Sequence, residues 1–293
     1  MSKPKITVFG KSGQLGSALY ALSQSDGPFE IKVVGRPEGD LTNHANIRNL
    51  LLSEKPVGII NAAAYTAVDD AETDEARAFK LNAEAPHWLA TFAKELAIPL
   101  IHISTDYVFD GSQDTPYRPE DDIAPINAYG RSKLAGEWGC LGAHPEMTYV
   151  IRTSWVYSEW GSNFVKTMLK LGESRDSLSV VHDQVGSPTY AMDLAQTCVH
   201  MMQKIIQHEV NAPGIYHYTN TGSCSWYELA EEIFKFAPPM SLTKTSSDQF
   251  PRPAKRPQYS KLDSRKLGST FGLKIRPWQE ALHECMQKLK ATT

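Results

Sequence analysis

Two short stretches carry groups that could move a proton. Ser104-Thr105-Asp106 ends an apolar run, and after a proline-containing loop Tyr129 stands four residues before Lys133. On a helix, that spacing puts phenol and ammonium one turn apart on the same face. A free phenol has a pKa of about 10, too high for easy proton donation at neutral pH. A nearby cation favours the phenolate and brings the phenol into working range. Each unit of that shift is roughly 1.4 kcal/mol, so several units need more than one source. A surface Tyr–Lys pair has the same spacing, so the weight rests on what surrounds it.

A glycine pattern opens the chain. Lys5-Ile6-Thr7-Val8-Phe9 reads as a buried strand, then Gly10-x-x-Gly13-x-x-Gly16 leads into a helical run. Glycines there let a backbone approach a pyrophosphate, with the helix N-terminus supplying N–H groups and partial positive charge. An ordinary tight turn is the other reading. A phosphate-binding P-loop fails, because Lys5 and Ile6 stand where its first glycine is needed. At the end of the second apolar run, where an acid would accept from a ribose 2′-hydroxyl, Gly35-Arg36 stands instead. A guanidinium suits a 2′-phosphate, so the cofactor expected is NADPH, with NADH possible and a plain surface charge the alternative. Asp40 and Leu41 follow, a carboxylate for the adenine amino group and an apolar side chain for its face. Asn61-Ala62-Ala63-Ala64-Tyr65 ends the third strand, and small side chains there leave room for a ligand or simply for a helix.

These pieces need a parallel sheet to bring them together. Expected strands are Lys5 to Phe9, Ile31 to Val34, Val57 to Ile60, Leu100 to Ile103 and Thr148 to Ile151, alternating with helical segments. Among these, Glu72 to Leu96 reads as one long helix kinked or broken at Pro86. The fold expected is α/β, a Rossmann-like parallel sheet with helices on both faces plus a smaller C-terminal lobe. Residues 1–154 form the dinucleotide-binding part, to which the chain returns at about 178–212, while 155–177 and 213–293 form the substrate lobe.

Composition excludes several classes. The 293 residues carry 30 Lys and Arg against 33 Asp and Glu, a net charge of −3 with no basic patch for nucleic acid. No apolar run is long enough to span a bilayer, and Gly10-Lys11-Ser12-Gly13 interrupts the start before a signal-peptide core could form. Cys140, Cys198, Cys224 and Cys285 are scattered, as reduced cytoplasmic thiols are. No metal-ligand helix is present. A cytoplasmic location without membrane or nucleic-acid partners is expected.

With these motifs assembled, the chain resembles the extended short-chain dehydrogenase/reductase superfamily, and within it the dTDP-4-dehydrorhamnose reductase family. The narrower likeness rests on Gly10-Lys-Ser-Gly-Gln-Leu-Gly16, Ala64-Tyr-Thr-Ala-Val-Asp-Asp-Ala-Glu72, Arg152-Thr-Ser-Trp-Val-Tyr157, Asp183-Gln-Val-Gly-Ser-Pro-Thr189 and Arg256-Pro-x-x-Ser-x-Leu-Asp263. The resemblance implies Thr105, Tyr129 and Lys133 as a catalytic triad, with Tyr129 the proton donor. It implies Thr105 on the reacting oxygen, Asp106 and Trp155 at the sugar nucleotide, and Gln14, Leu15, Ala63, Ala64, Tyr65 and Ile103 at the cofactor, where Tyr129 and Lys133 also stand, Lys133 on the nicotinamide ribose. The reaction implied is hydride transfer from nicotinamide to the 4-keto carbon of a dTDP-sugar. Arg256 could pair with the diphosphate or lie on a solvated face. Trp155 could pack on the ligand or between lobes. Some members hold Mg²⁺ at a dimer interface through glutamates; Ser17 and Ala18 stand in the first of those regions, so no Mg²⁺ site is expected, and the chain is a monomer or homodimer. A sugar-nucleotide epimerase or dehydratase, or a non-catalytic regulatory subunit like that of methionine adenosyltransferase, are the alternatives. Against the dehydratase, Thr105-Asp106-Tyr107 lacks the Glu that its acid/base chemistry uses.

Overall fold

The computed structural model describes residues 3–292. Its first half alternates strands and helices: β1 (Lys5–Phe9), α1 (Gln14–Ser23), β2 (Glu30–Val34), α2 (His44–Glu54), β3 (Gly58–Asn61), α3 (Glu75–Phe79), α4 (Ala85–Glu95), β4 (Leu100–Thr105), α5 (Ala128–Ala143) and β5 (Thr148–Thr153). Then come β6 (Val156–Tyr157), α6 (Phe164–Gly172), β7 (Ser177–Val181), β8 (Val185–Gly186), β9 (Thr189–Tyr190), α7 (Ala191–Ile206), β10 (Gly214–His217), β11 (Cys224–Ser225), α8 (Trp226–Phe234), β12 (Ser241–Thr245), α9 (Arg265–Phe271) and α10 (Trp278–Thr292).

Six strands make one parallel sheet in the order β10-β5-β4-β3-β1-β2. Strands buried on both faces read as continuous apolar runs, which is how Ile6, Val8, Ile59, Ile60, Leu100, Ile101, Val150 and Ile151 come to be fully buried. One face carries Leu15 and Leu19 of α1 with Leu194 and Met201 of α7, a core that continues into Leu229 of α8 and Leu282 of α10. The opposite face carries Ile47 and Leu51 of α2 with Leu89 and Phe92 of α4. Helices on both faces of a parallel sheet are thus confirmed. The strand order reverses at β1, whose neighbours are β2 and β3, so the switch-point crevice opens beyond Phe9 and Asn61.

Two details depart from expectation. The expected Glu72–Leu96 helix is three pieces, with a π turn at Lys80–Glu84 between α3 and α4. Pro86 has no N–H and its ring would crowd the carbonyl of Asn82. The wider turn absorbs the defect, with the Ala85 N–H reaching back to Lys80 O. The Asn82 carbonyl then abuts α5 at Gly136, where a Cβ would stand 2.0 Å from it. The second departure lies in the chain's return. β10, assigned from sequence to the smaller lobe, completes the main sheet, whereas β7 pairs with β12 outside it. Two further pairs, β8–β11 and β6–β9, are only two residues deep.

Candidate active site

A crevice of about 700 Å³ lies at the carboxyl ends of the strands. It draws on Gly10, Gly13, Gln14, Leu15, Arg36, Asp40, Leu41, Ala63, Ala64, Ile103, Thr105, Asp106, Tyr129, Lys133 and Trp155, residues spread from position 10 to position 155. Gly16, Tyr65 and Arg256 are not on its wall.

At one end stands the glycine turn. Gly10 has φ +110°, and a Cβ on it would lie 2.7 Å from the Ala62–Ala63 backbone. Gly16 sits behind the turn, where a Cβ would meet the Gly10 carbonyl oxygen at 1.9 Å. Both positions therefore demand glycine, Gly16 for helix–strand packing rather than ligand contact. No side chain caps α1 at Gly13, so its first turn keeps N–H groups for an anion. Gln14 lends its side chain elsewhere: Nε2 donates to Val156 O at 3.0 Å, and Oε1 accepts from Ser158 at 2.9 Å and Asn163 at 3.0 Å. Across the turn, Asn61 Oδ1 accepts the Ala63 N–H while its Nδ2 donates to His102 Nδ1 at 3.1 Å. That fixes the small-residue bend. Arg36 is exposed at the rim. Asp40 accepts the N–H and hydroxyl of Thr42, which with the Arg36 charge hold its carboxyl below the usual range. A dinucleotide fits this cradle: an uncapped helix start, two glycines without room for a Cβ, and a cation at the ribose end.

Thr105, Asp106, Tyr129 and Lys133 line the crevice around the end of β4. Asn127 caps α5, accepting from Gly130 N at 2.7 Å and donating to Lys255 O at 2.8 Å. Gly130 lets the helix close on the turn after β4, since a Cβ there would lie 2.2 Å from Tyr107 O. Tyr129 and Lys133 thereby face the end of β4. Lys133 is buried and donates to Ile103 O at 2.6 Å. Burial pushes its ammonium down to about 8, with Glu137 pulling it back up. Tyr129 is half-buried, edge-on to Tyr107 at 5.7 Å. Burial pushes its phenol up, and the Thr105 hydroxyl opposes this. The sequence led us to expect the phenol held down by Lys133; in the structure burial dominates and the ammonium turns to the Ile103 carbonyl. Thr105 Oγ1 donates to Asp106 Oδ1 at 3.0 Å and accepts from Tyr107 N at 3.2 Å. Asp106 is 3% exposed with Oδ2 unpartnered, and burial pushes its carboxyl up to about 7 against the pull of the Ser260 and Thr105 hydroxyls.

Two expected site residues are engaged elsewhere. Tyr65 packs with Tyr129 around Ala71, Ala78 and Ala128, and its backbone N–H and carbonyl both bond the Asn82 side chain. Arg256 forms a two-pronged pair with Asp69, at 2.5 and 2.9 Å, and donates to Ala254 O at 2.6 Å. That pairing holds the Asp69 carboxyl low. The sequence reading missed Lys11, whose stem lies beside Gly35, and Trp226, which comes to the crevice from α8. Only Trp226 lacked any local signal, because Trp155, on which its ring stacks, is 71 positions earlier in the chain.

Behind the site, Arg152 and Glu137 form a buried pair, with Nε to Oε1 at 3.0 Å and Nη2 to Oε2 at 2.7 Å, and Ser104 donates to the same carboxylate. Among the described residues no cluster of three His, Cys, Asp or Glu could hold a metal, and no helix is long and apolar enough to cross a membrane.

Comparison with known proteins agrees with this geometry. Residues 4–291 match the family described as the RmlD substrate binding domain. A dTDP-4-dehydrorhamnose reductase from Aggregatibacter actinomycetemcomitans is 40% identical over 286 residues, covering 95% of this chain and 97% of that protein. The crystal structure of a dTDP-4-dehydrorhamnose reductase from Clostridium acetobutylicum superposes with a TM-score of 0.91 at 39% identity, covering 98% of this chain and 99% of the other. That of a dTDP-4-dehydrorhamnose reductase from Bacillus anthracis, in complex with NADP, superposes with a TM-score of 0.90 at 36% identity and the same coverage. An uncapped glycine turn, a cation at its rim and a Tyr–Lys pair on the facing helix are thus set in a chain that, over nearly its whole length, belongs to the dTDP-4-dehydrorhamnose reductase family.

Proposed function

We propose that this protein reduces the 4-keto group of dTDP-4-dehydro-L-rhamnose to give dTDP-L-rhamnose, with NADPH as reductant. The observation that carries this reading is the convergence of Thr105, Tyr129 and Lys133 on the crevice that also holds the glycine turn. Membership of the reductase family supports the same substrate. When bound, the dihydronicotinamide supplies the hydride.

The chain's own groups manage the oxygen. Thr105 holds the keto oxygen in place, and Tyr129 gives it a proton as it becomes a hydroxyl. A phenol is protonated at neutral pH in any case and burial pushes the same way, so the donor is loaded before the substrate arrives. The alkoxide left by hydride delivery is far more basic than a phenolate, so transfer from Tyr129 runs downhill, though less steeply than from an unperturbed phenol. Lys133, one turn along α5, offsets the charge left on Tyr129. Asp106, with a free oxygen on the crevice wall, meets a sugar hydroxyl. Arg256 is committed to Asp69, so it is not assigned to the diphosphate. The four cysteines, free and buried, support a reducing, cytoplasmic setting.

The direct test is NADPH consumption by purified protein with dTDP-4-dehydro-6-deoxy-L-mannose, with dTDP-L-rhamnose as product. No oxidation above the rate without sugar nucleotide would reject the reading.

Arg36 supplies a second test. Its exposed guanidinium stands at the rim near Asp40, where a 2′-phosphate would lie. Arg36→Ala is expected to weaken NADPH binding roughly 10- to 150-fold, the span of a charge-assisted contact, and to leave NADH almost unchanged. Equal losses for both cofactors would remove Arg36 from phosphate recognition.

A further inference from the structure

Trp155 is one of four described non-glycine residues with positive φ, at +48°, in a region that bulky side chains seldom occupy. Several contacts from one place in the fold hold it there. Ser154 donates to Ser187 O at 2.7 Å, and the Trp155 carbonyl accepts from Thr189 N at 3.2 Å. Its indole stacks on Trp226, with ring centroids 3.4 Å apart and planes 6° from parallel. Gly186 lies against the Nε1 side of the same ring, where a Cβ would come within 2.5 Å. Gly186 and Trp226 have a common origin: the β8–β11 ladder sets Gly186 opposite Cys224, two residues before Trp226. Trp226 is itself fixed, donating Nε1–H to Gln184 at 3.2 Å and packing on Phe164 at 4.7 Å. The capping box of Ser225 and Glu228 sets the start of its helix.

We propose that Trp226 and Gly186 form a slot that positions Trp155 as the sugar-facing wall of the crevice, so that the smaller lobe sets affinity for the sugar nucleotide through one indole. Trp226 thus acts through Trp155 and is a positioning residue. This inference rests on the reading of the crevice as a sugar-nucleotide site. Gln14 ties the glycine turn to Val156 O, beside Trp155, at 3.0 Å; that tie does not run through the indole, so the slot is expected to act on the sugar more than on the dinucleotide.

The test approaches Trp155 from both sides. Trp226→Ala removes the support; Gly186→Ala keeps it and pushes the ring away, at a position whose φ accepts alanine. Each is expected to raise KM for the sugar nucleotide roughly 2- to 12-fold, the span of an aromatic pair's stacking energy, with less change in kcat and in KM for NADPH. Trp226→Phe keeps an aromatic face and should recover part of the loss. Stacked indoles couple their transitions, so the wild type should show an exciton couplet in circular dichroism. Trp226→Ala should abolish it, and Gly186→Ala should change its amplitude. Should Trp226→Ala not fold, Gly186→Ala and Trp226→Phe carry the test. If the wild type does not reduce the sugar nucleotide, the functional reading falls and takes this inference with it. If the wild type does, and the folded variants keep its KM, the inference alone is overturned.

Discussion

Replacing Tyr129 by Phe is expected to lower kcat by at least ~10²-fold, the usual scale for a lost general acid. The change removes one oxygen and little else. The ring keeps its edge-on contact with Tyr107 and its place beside Ala71, Ala78 and Ala128. Thr105 loses the phenol that faces it but still donates to Asp106 and accepts from Tyr107 N. Thermal stability should therefore stay near wild type, and NADPH should still bind, because the change leaves the glycine turn and Arg36 untouched. Steady-state turnover, a melting curve and NADPH fluorescence titration together check this. Wild-type turnover would take Tyr129 out of the mechanism; a lost fold would show that the oxygen is structural.

What the sequence revealed of this site follows from distance along the chain. Tyr129 and Lys133 are one helical turn apart, so their shared face was legible from spacing alone. The glycine turn was equally local, running from Gly10 to Gly16 between the end of a strand and the first turn of a helix. By contrast, Arg256 meets Asp69 across 187 positions, and spacing cannot show that a basic loop residue already has a carboxylate. The division into lobes failed at β7 and β10 for a related reason. Both are short strands, and only their partners, β12 and β5, decide which sheet each joins. Burial was hidden as well: the phenol is pushed up because the ring is packed, a property of the whole fold and not of the Tyr–Lys motif.

Glu137→Gln should be strongly destabilising. Glu137 follows Lys133 by one turn of α5, and β4–β5 register sets Ser104 beside Arg152, so three elements converge on one carboxylate. Both charges are withdrawn from solvent, with side-chain exposures of 2% for Arg152 and 0% for Glu137. Removing one partner of such a pair costs about 3–5 kcal/mol, because the other charge is left buried and uncompensated. For a chain of this size that corresponds to a melting temperature lower by about 5–8 °C. A second readout is chemical. The Glu137 charge opposes the effect of burial on Lys133, whose pKa lies near 8. If the charged ammonium is needed, the rate falls as pH rises through that value, and losing Glu137 moves this alkaline limb to lower pH. The stability term runs in the opposite sense. A lysine with a depressed folded pKa releases its proton in the native state first, so its burial penalty is relieved between about 8 and the ordinary lysine value. Pairing Glu137→Leu with Arg152→Met removes both charges, and should cost less stability than Glu137→Gln while leaving the limb low. Glu137→Gln with an unshifted limb would separate the buried pair from catalysis, and an unchanged melting temperature would show that the pair contributes nothing to holding α5 against β4 and β5.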